Sequence, residues 1–75
     1  MRVKIVGHMA EVLSVPPEGL EVLLDAPITL GELVKRLWNV PFSLFMGAKV
    51  GDLKVSEEYV VTGNEEEIVL LSNGG

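Results

Sequence analysis

The sequence predicts an α+β domain: a mixed sheet of four or five strands with one main helix packed on one face. Three observations predict it. Only one stretch, residues 30–38, carries apolar residues at clear helical spacing. The apolar stretches before and after it are short and β-branched, as strands are. At 75 residues the chain makes a single domain, so a lone amphipathic helix must bury its stripe on the sheet.

The elements follow in order. Arg2-Val3-Lys4-Ile5-Val6-Gly7 alternates polar and apolar residues and reads as a strand. Residues 8–14 suit one helical turn or an irregular link. Val15-Pro16-Pro17-Glu18-Gly19 is the clearest turn signal, and Leu20 to Leu24 follows as a second strand antiparallel to the first. Thr29-Leu30-Gly31-Glu32 has the form of a capping box. Leu30, Leu33, Val34 and Leu37 then make one stripe, and Asn39 with Pro41 ends the helix near Trp38. Phe42 to Met46 reads as a strand or its approach. Gly47, Gly51 and Asp52 mark turns around Lys49-Val50, and Leu53-Lys54-Val55 is ambiguous. Tyr59 to Thr62 is strand-like, and Gly63-Asn64 turns. Ile68-Val69-Leu70-Leu71 is apolar on both faces, the pattern of a central strand. Residues 1–71 form the domain, and Ser72-Asn73-Gly74-Gly75 reads as a small, polar, flexible tail.

Composition excludes several functions. The chain has no Cys and one His, which removes thiol catalysis, disulfides and zinc clusters. No apolar run reaches the ~20 residues of a membrane helix. No basic segment precedes an apolar one at the start, so a cytoplasmic protein without membrane contact is expected. A net charge of -5 argues against nucleic acid as a partner. Gly47-Ala48-Lys49-Val50-Gly51 lacks the Gly-Lys-Ser/Thr run of a phosphate loop. Glu65-Glu66-Glu67 lacks the alternate spacing of a calcium loop, and no metal site is expected. The chain is therefore expected to be no enzyme by itself and to bind no cofactor.

Charge is uneven. All six Lys and Arg lie in residues 1–54, where six acids balance them. Glu57, Glu58, Glu65, Glu66 and Glu67 carry the whole excess. Such a field either solubilises a face or steers the C-terminal end onto a basic partner. The end itself is the remaining chemical group. A terminal carboxylate is ionised at neutral pH. After two residues without Cβ it can thread a narrow slot. Four extended residues beyond Leu71 reach roughly 13–14 Å.

In these features the chain resembles the small sulfur-carrier family with the ubiquitin-like β-grasp fold, the MoaD/ThiS group. Val3 to Gly7 is similar to the family's opening strand. Leu20 to Leu24 and Ile28 to Leu33 resemble its second strand and Thr-led helix. Gly63-Asn64-Glu65 falls where Gly-Asp-Glu is usual, and Gly74-Gly75 matches the family ending. The departures are Leu70 to Asn73 in place of proline and a small apolar residue, Glu66 at an apolar position, Asn64 for Asp, and Met46-Gly47 for Asn-Gly.

The resemblance implies a carrier that acts with partner enzymes. An E1-like adenylating enzyme would use ATP to activate the Gly75 carboxylate, and a sulfur donor would convert it to a thiocarboxylate. The sulfur would then pass to an acceptor such as the large subunit of molybdopterin synthase. Thiamine synthesis or tRNA thiolation are the other destinations; length and residues 8–13 lean toward the molybdopterin type. Gly74 would give passage into the partner's channel. Phe42, Phe45, Met46, Val69 and Leu71 would form an apolar docking face, with Glu65, Glu66 and Glu67 contacting the partner. Two other readings stay open: a modifier joined to lysines through the same carboxylate, and an interaction module whose tail is inert.

Overall fold

The structure, a computed structural model, describes residues 1–73. Among these, seven strands and two α-helices follow in the order β1 (Arg2–Val6), α1 (Met9–Val12), β2 (Leu20–Glu21), β3 (Ile28–Thr29), α2 (Leu30–Trp38), β4 (Gly47–Val50), β5 (Leu53–Val55), β6 (Val60–Val61) and β7 (Glu67–Leu71). A 3-10 turn, Phe42–Leu44, lies between α2 and β4. The fold is α+β, with a mixed five-stranded sheet in the order β2-β1-β7-β4-β5 and one main helix.

β7 is the middle strand. It runs parallel to β1, with Val3 opposite Ile68 and Ile5 opposite Leu70. On its other side it is antiparallel to β4, with Ala48 opposite Leu70. One face of the sheet therefore presents Val3, Ile5, Ile68, Leu70 and Ala48, and Leu30, Leu33 and Val34 of α2 join them in a single core. Leu30, Ile68 and Leu70 are fully buried. Leu37 completes the stripe from the margin of that core.

The helix begins as its sequence predicts. The Thr29 hydroxyl accepts from the Glu32 N–H at 3.3 Å, while the reciprocal bond from the Glu32 carboxylate is absent among the described residues. Two further N-terminal donors are met from afar: Leu30 N–H reaches the Tyr59 carbonyl at 2.8 Å and Gly31 N–H the Glu57 carbonyl at 2.9 Å. Asn39 ends the helix in the left-handed region, at φ 57°.

Three expectations are corrected, and a fourth element lies apart from the main sheet. The second strand closes at Glu21; Val22 adds one bond to Met1, and the chain then bends at Asp25 and Ala26 before β3. Phe42 to Met46 is not a strand: Phe45 N–H bonds the Phe42 carbonyl at 2.9 Å, which coils the segment and drives the Phe45 ring inward. Gly47 is not a turn residue but opens β4, with nothing near the space a side chain would fill. The turn is Gly51-Asp52 alone, Gly51 at φ +60°, and it makes β4 and β5 a tight hairpin. Residues 60–61 stand outside the main sheet and pair with β3 in a second, two-stranded one.

Candidate functional site

The open face of the large sheet and the end of β7 hold most of the candidate residues. Because side chains alternate along a strand, Arg2, Lys4 and Val6 of β1 share the open face with Glu67, Val69 and Leu71 of β7. Lys49 joins from β4, opposite both Val69 and Lys54. Three rows result. The first holds Glu21, Arg2 and Glu67, with Arg2 3.4 Å from Glu21. The second runs Lys4, Val69, Lys49, Lys54; Lys4 is 3.2 Å from Glu67. The third is apolar: Val6 and Leu71, beside Gly47, from which Met46 projects. Val6 is 54% exposed and Met46 72%.

Arg2, Lys4, Lys49 and Lys54 thus share one face in a chain of net charge -5. Lys49 and Lys54 sit directly opposite each other, and neither has an ion-pair partner among the described residues. Like charges in that position repel. A carboxylate from outside would relieve them.

Met46 also closes the ladder at the strand end, its N–H donating to the Leu71 carbonyl at 2.7 Å. The chain does not leave the domain at Leu71. Ser72 is buried, and its N–H and Oγ both donate to the Val6 carbonyl, at 2.8 and 2.9 Å. The same Oγ accepts from Met9 N–H at 3.1 Å, and the Asn73 carbonyl accepts from His8 N–H at 2.7 Å. Chain held to the domain by hydrogen bonds thus runs through Asn73, two residues past the expected boundary at residue 71. Gly74 and Gly75, which carry the expected chemistry, lie outside the described residues.

The expected docking set divides. Met46, Val69 and Leu71 share the open face. Phe42 is half-buried, its ring 6.2 Å from that of Phe45 and tilted 53° to it. Phe45 is 6% exposed and 6.4 Å from Trp38, so it is part of the core. Val6, Lys4, Lys49 and Lys54 belong to the face and were missed. For Val6 and Lys4 the signal was period-two alternation in β1, read for its buried half only; Lys49 and Lys54 reach the face through the pairing of β4 with β7 and β5.

The acidic residues do not act together either. Glu65 closes a turn: its carboxylate accepts from Thr62 N–H at 3.1 Å, Gly63 N–H at 2.9 Å and the Tyr59 hydroxyl at 2.8 Å. Partial burial pushes this carboxyl upward, and the donors from Thr62, Tyr59, Gly63 and its own N–H outweigh it, holding it at about 2. The bond to Glu65, with burial second, pushes the Tyr59 hydroxyl up, so it stays a donor. Glu67 is paired with Lys4. Glu66 is exposed, but at the start of β7, with the tail leaving at the other end. Glu57 and Glu58 border a shallow groove with Glu32 and Lys35 beside α2.

Among the described residues no three His, Asp or Glu gather as metal ligands, and no helix is long and apolar enough to cross a membrane. No family model matches the chain, and neither a curated protein nor a solved structure matches it significantly.

Proposed function

We propose that this protein is a sulfur carrier of the ubiquitin-like β-grasp type, acting through the Gly75 carboxylate. The observation that carries the reading is the position of the strand before the tail. β7 is fixed in the middle of the sheet, and the chain beyond it stays bonded to the domain as far as Asn73, at the end of a sheet whose open face is apolar and basic. A mixed five-stranded sheet with one main helix is also what the family resemblance implies.

The chemistry belongs to partner enzymes. A Gly75 carboxylate oxygen attacks the α-phosphorus of ATP, and pyrophosphate leaves. Hydrosulfide released by the sulfur donor then attacks the carbonyl carbon of the acyl-adenylate, the C–O bond to AMP breaks and AMP leaves with its electron pair, and the new C–SH group loses its proton to give the thiocarboxylate. The carrier contributes a small carboxylate and a surface for docking. The activating enzyme meets the open face, placing apolar side chains against Val6, Met46, Val69 and Leu71 and carboxylates against Lys49 and Lys54. This sets the partner's charge opposite to that expected from the acidic C-terminal segment.

The test is mass spectrometry of the intact chain after incubation with an E1-like enzyme, ATP and a sulfur donor. The expected product is heavier by about 16 Da, one oxygen exchanged for sulfur, and a chain lacking Gly75 gives none. High-mass adducts in cells that vanish with the same deletion would favour conjugation to lysines instead.

A further inference from the structure

The short helix α1 has an unusual N-terminus. Its N-cap position, His8, makes no side-chain cap. The first amide donors of a helix need partners from outside it. Here the partners come from the far end of the sequence: Asn73 accepts from His8 N–H at 2.7 Å and Ser72 Oγ from Met9 N–H at 3.1 Å. A four-residue helix is too short to persist unaided. The tail and α1 therefore hold each other.

Gly7 makes this approach possible. Its φ of +106° lies in the region that side chains avoid. A Cβ there would also stand 2.4 Å from the Ser72 carbonyl oxygen and 2.8 Å from that of Asn73. Both obstacles are main chain, so no rotamer change relieves them. Ser72 is the one buried polar residue among those described, and its hydroxyl both donates and accepts.

We infer that the Gly7–Met9 turn is a latch that sets the working length and direction of the tail. It holds Ser72 and Asn73 to the domain, so a partner's slot receives chain from Gly74 onward. This rests on the carrier reading. Two extended residues span about 7 Å, against the roughly 13–14 Å that four would give from Leu71. An activating enzyme must then bring its reacting centre within about 7 Å of Asn73. It must abut the exposed Val6 and His8, whose main chains hold Ser72 and Asn73. The latch lowers the ordering cost of that encounter, because two tail residues are already fixed.

Two measurements test this. Amide hydrogen exchange reads the latch without any partner. In the wild-type chain the His8 and Met9 amides are expected to be protected. Gly7→Ala should speed both by about tenfold or more while Ile5 and Leu70 stay slow. Ser72→Ala, which adds no clash, should speed Met9 alone and serves if Gly7→Ala fails to fold. Steady-state conversion to the +16 Da product reads the use of the latch. Both variants should raise the KM for the carrier by about fivefold or more, with kcat changed far less. Unprotected His8 and Met9 amides in the wild type would overturn the proposal, as would an unchanged or lower KM in a variant whose exchange shows the latch broken. A wild-type chain that gains no mass refutes the carrier reading separately, and the exchange data still decide whether the latch exists.

Discussion

Glu65 shows how one side chain can be misjudged by its neighbours. In sequence it is the first of three glutamates, and a charge run reads as a solvated or docking surface. In space it is the acceptor that closes the turn after β6. The clue lay outside the run, in Thr62 three residues before it and Tyr59 six before it, both donors to the same carboxylate. A carboxyl held lower in the folded chain than its ordinary value of 4.5 gives stability that is fully present above 4.5 and lost as pH falls toward about 2. The wild-type protein should therefore lose thermal stability across that window. Glu65→Gln should be less stable at pH 7 by about 1–2 kcal/mol, and its melting temperature should fall less between pH 4.5 and 2. Parallel acid limbs for the two proteins would refute the assignment. Ser72 was illegible for a different reason. A serine after an apolar strand looks like the start of a tail, and only the fold brings Val6 and Met9 to its hydroxyl.

Among the elements, α2 was the most legible because its signals are local: a capping threonine, a stripe at helical spacing, and Asn39 to stop it. The strands were harder. β4 hid behind Gly47, since glycine ordinarily marks a turn, yet its place beside β7 comes from pairing and not from its own residues. Phe42 to Met46 looked extended because aromatic and apolar residues suit strands; Pro41 and the packing of Phe45 against Trp38 favour the 3-10 turn instead. The helix makes the sharpest prediction at this scale. Leu33 is 1% exposed, so Leu33→Ala should cost about 2–5 kcal/mol by chemical denaturation. Of the ~5–15 kcal/mol typical of a domain, that is severe. A cost below about 1 kcal/mol would mean that α2 packs on the sheet in another register.

At the scale of the whole molecule, charge is sorted by the sheet and not by the sequence. The acids that crowd residues 57–67 scatter to the flank of α2, the turn after β6 and the start of β7. Cations from β1, β4 and β5 converge on the open face. A linear count of charge therefore locates the excess but does not show that cations gather on the open face. The double variant Lys49→Glu, Lys54→Glu should keep its fold, since both side chains are exposed. It should bind the activating enzyme about tenfold or more weakly at low salt, with the deficit shrinking as salt rises. Equal binding of both proteins at low salt would remove the face from the docking surface.

The middle position of β7 also bears on synthesis. The strand on which β1 and β4 both depend is the last of the described strands to be made. A nascent chain that stops before Glu67 lacks Ile68 and Leu70, the centre of the core, and its earlier strands have no common neighbour. Closure waits for a contact between the two ends of the sequence, which is a slow kind of contact to form. The domain consequently stays open on the ribosome until the segment leading to the tail has emerged. Any partner that recognised the closed sheet would thereby also select chains whose translation had passed β7.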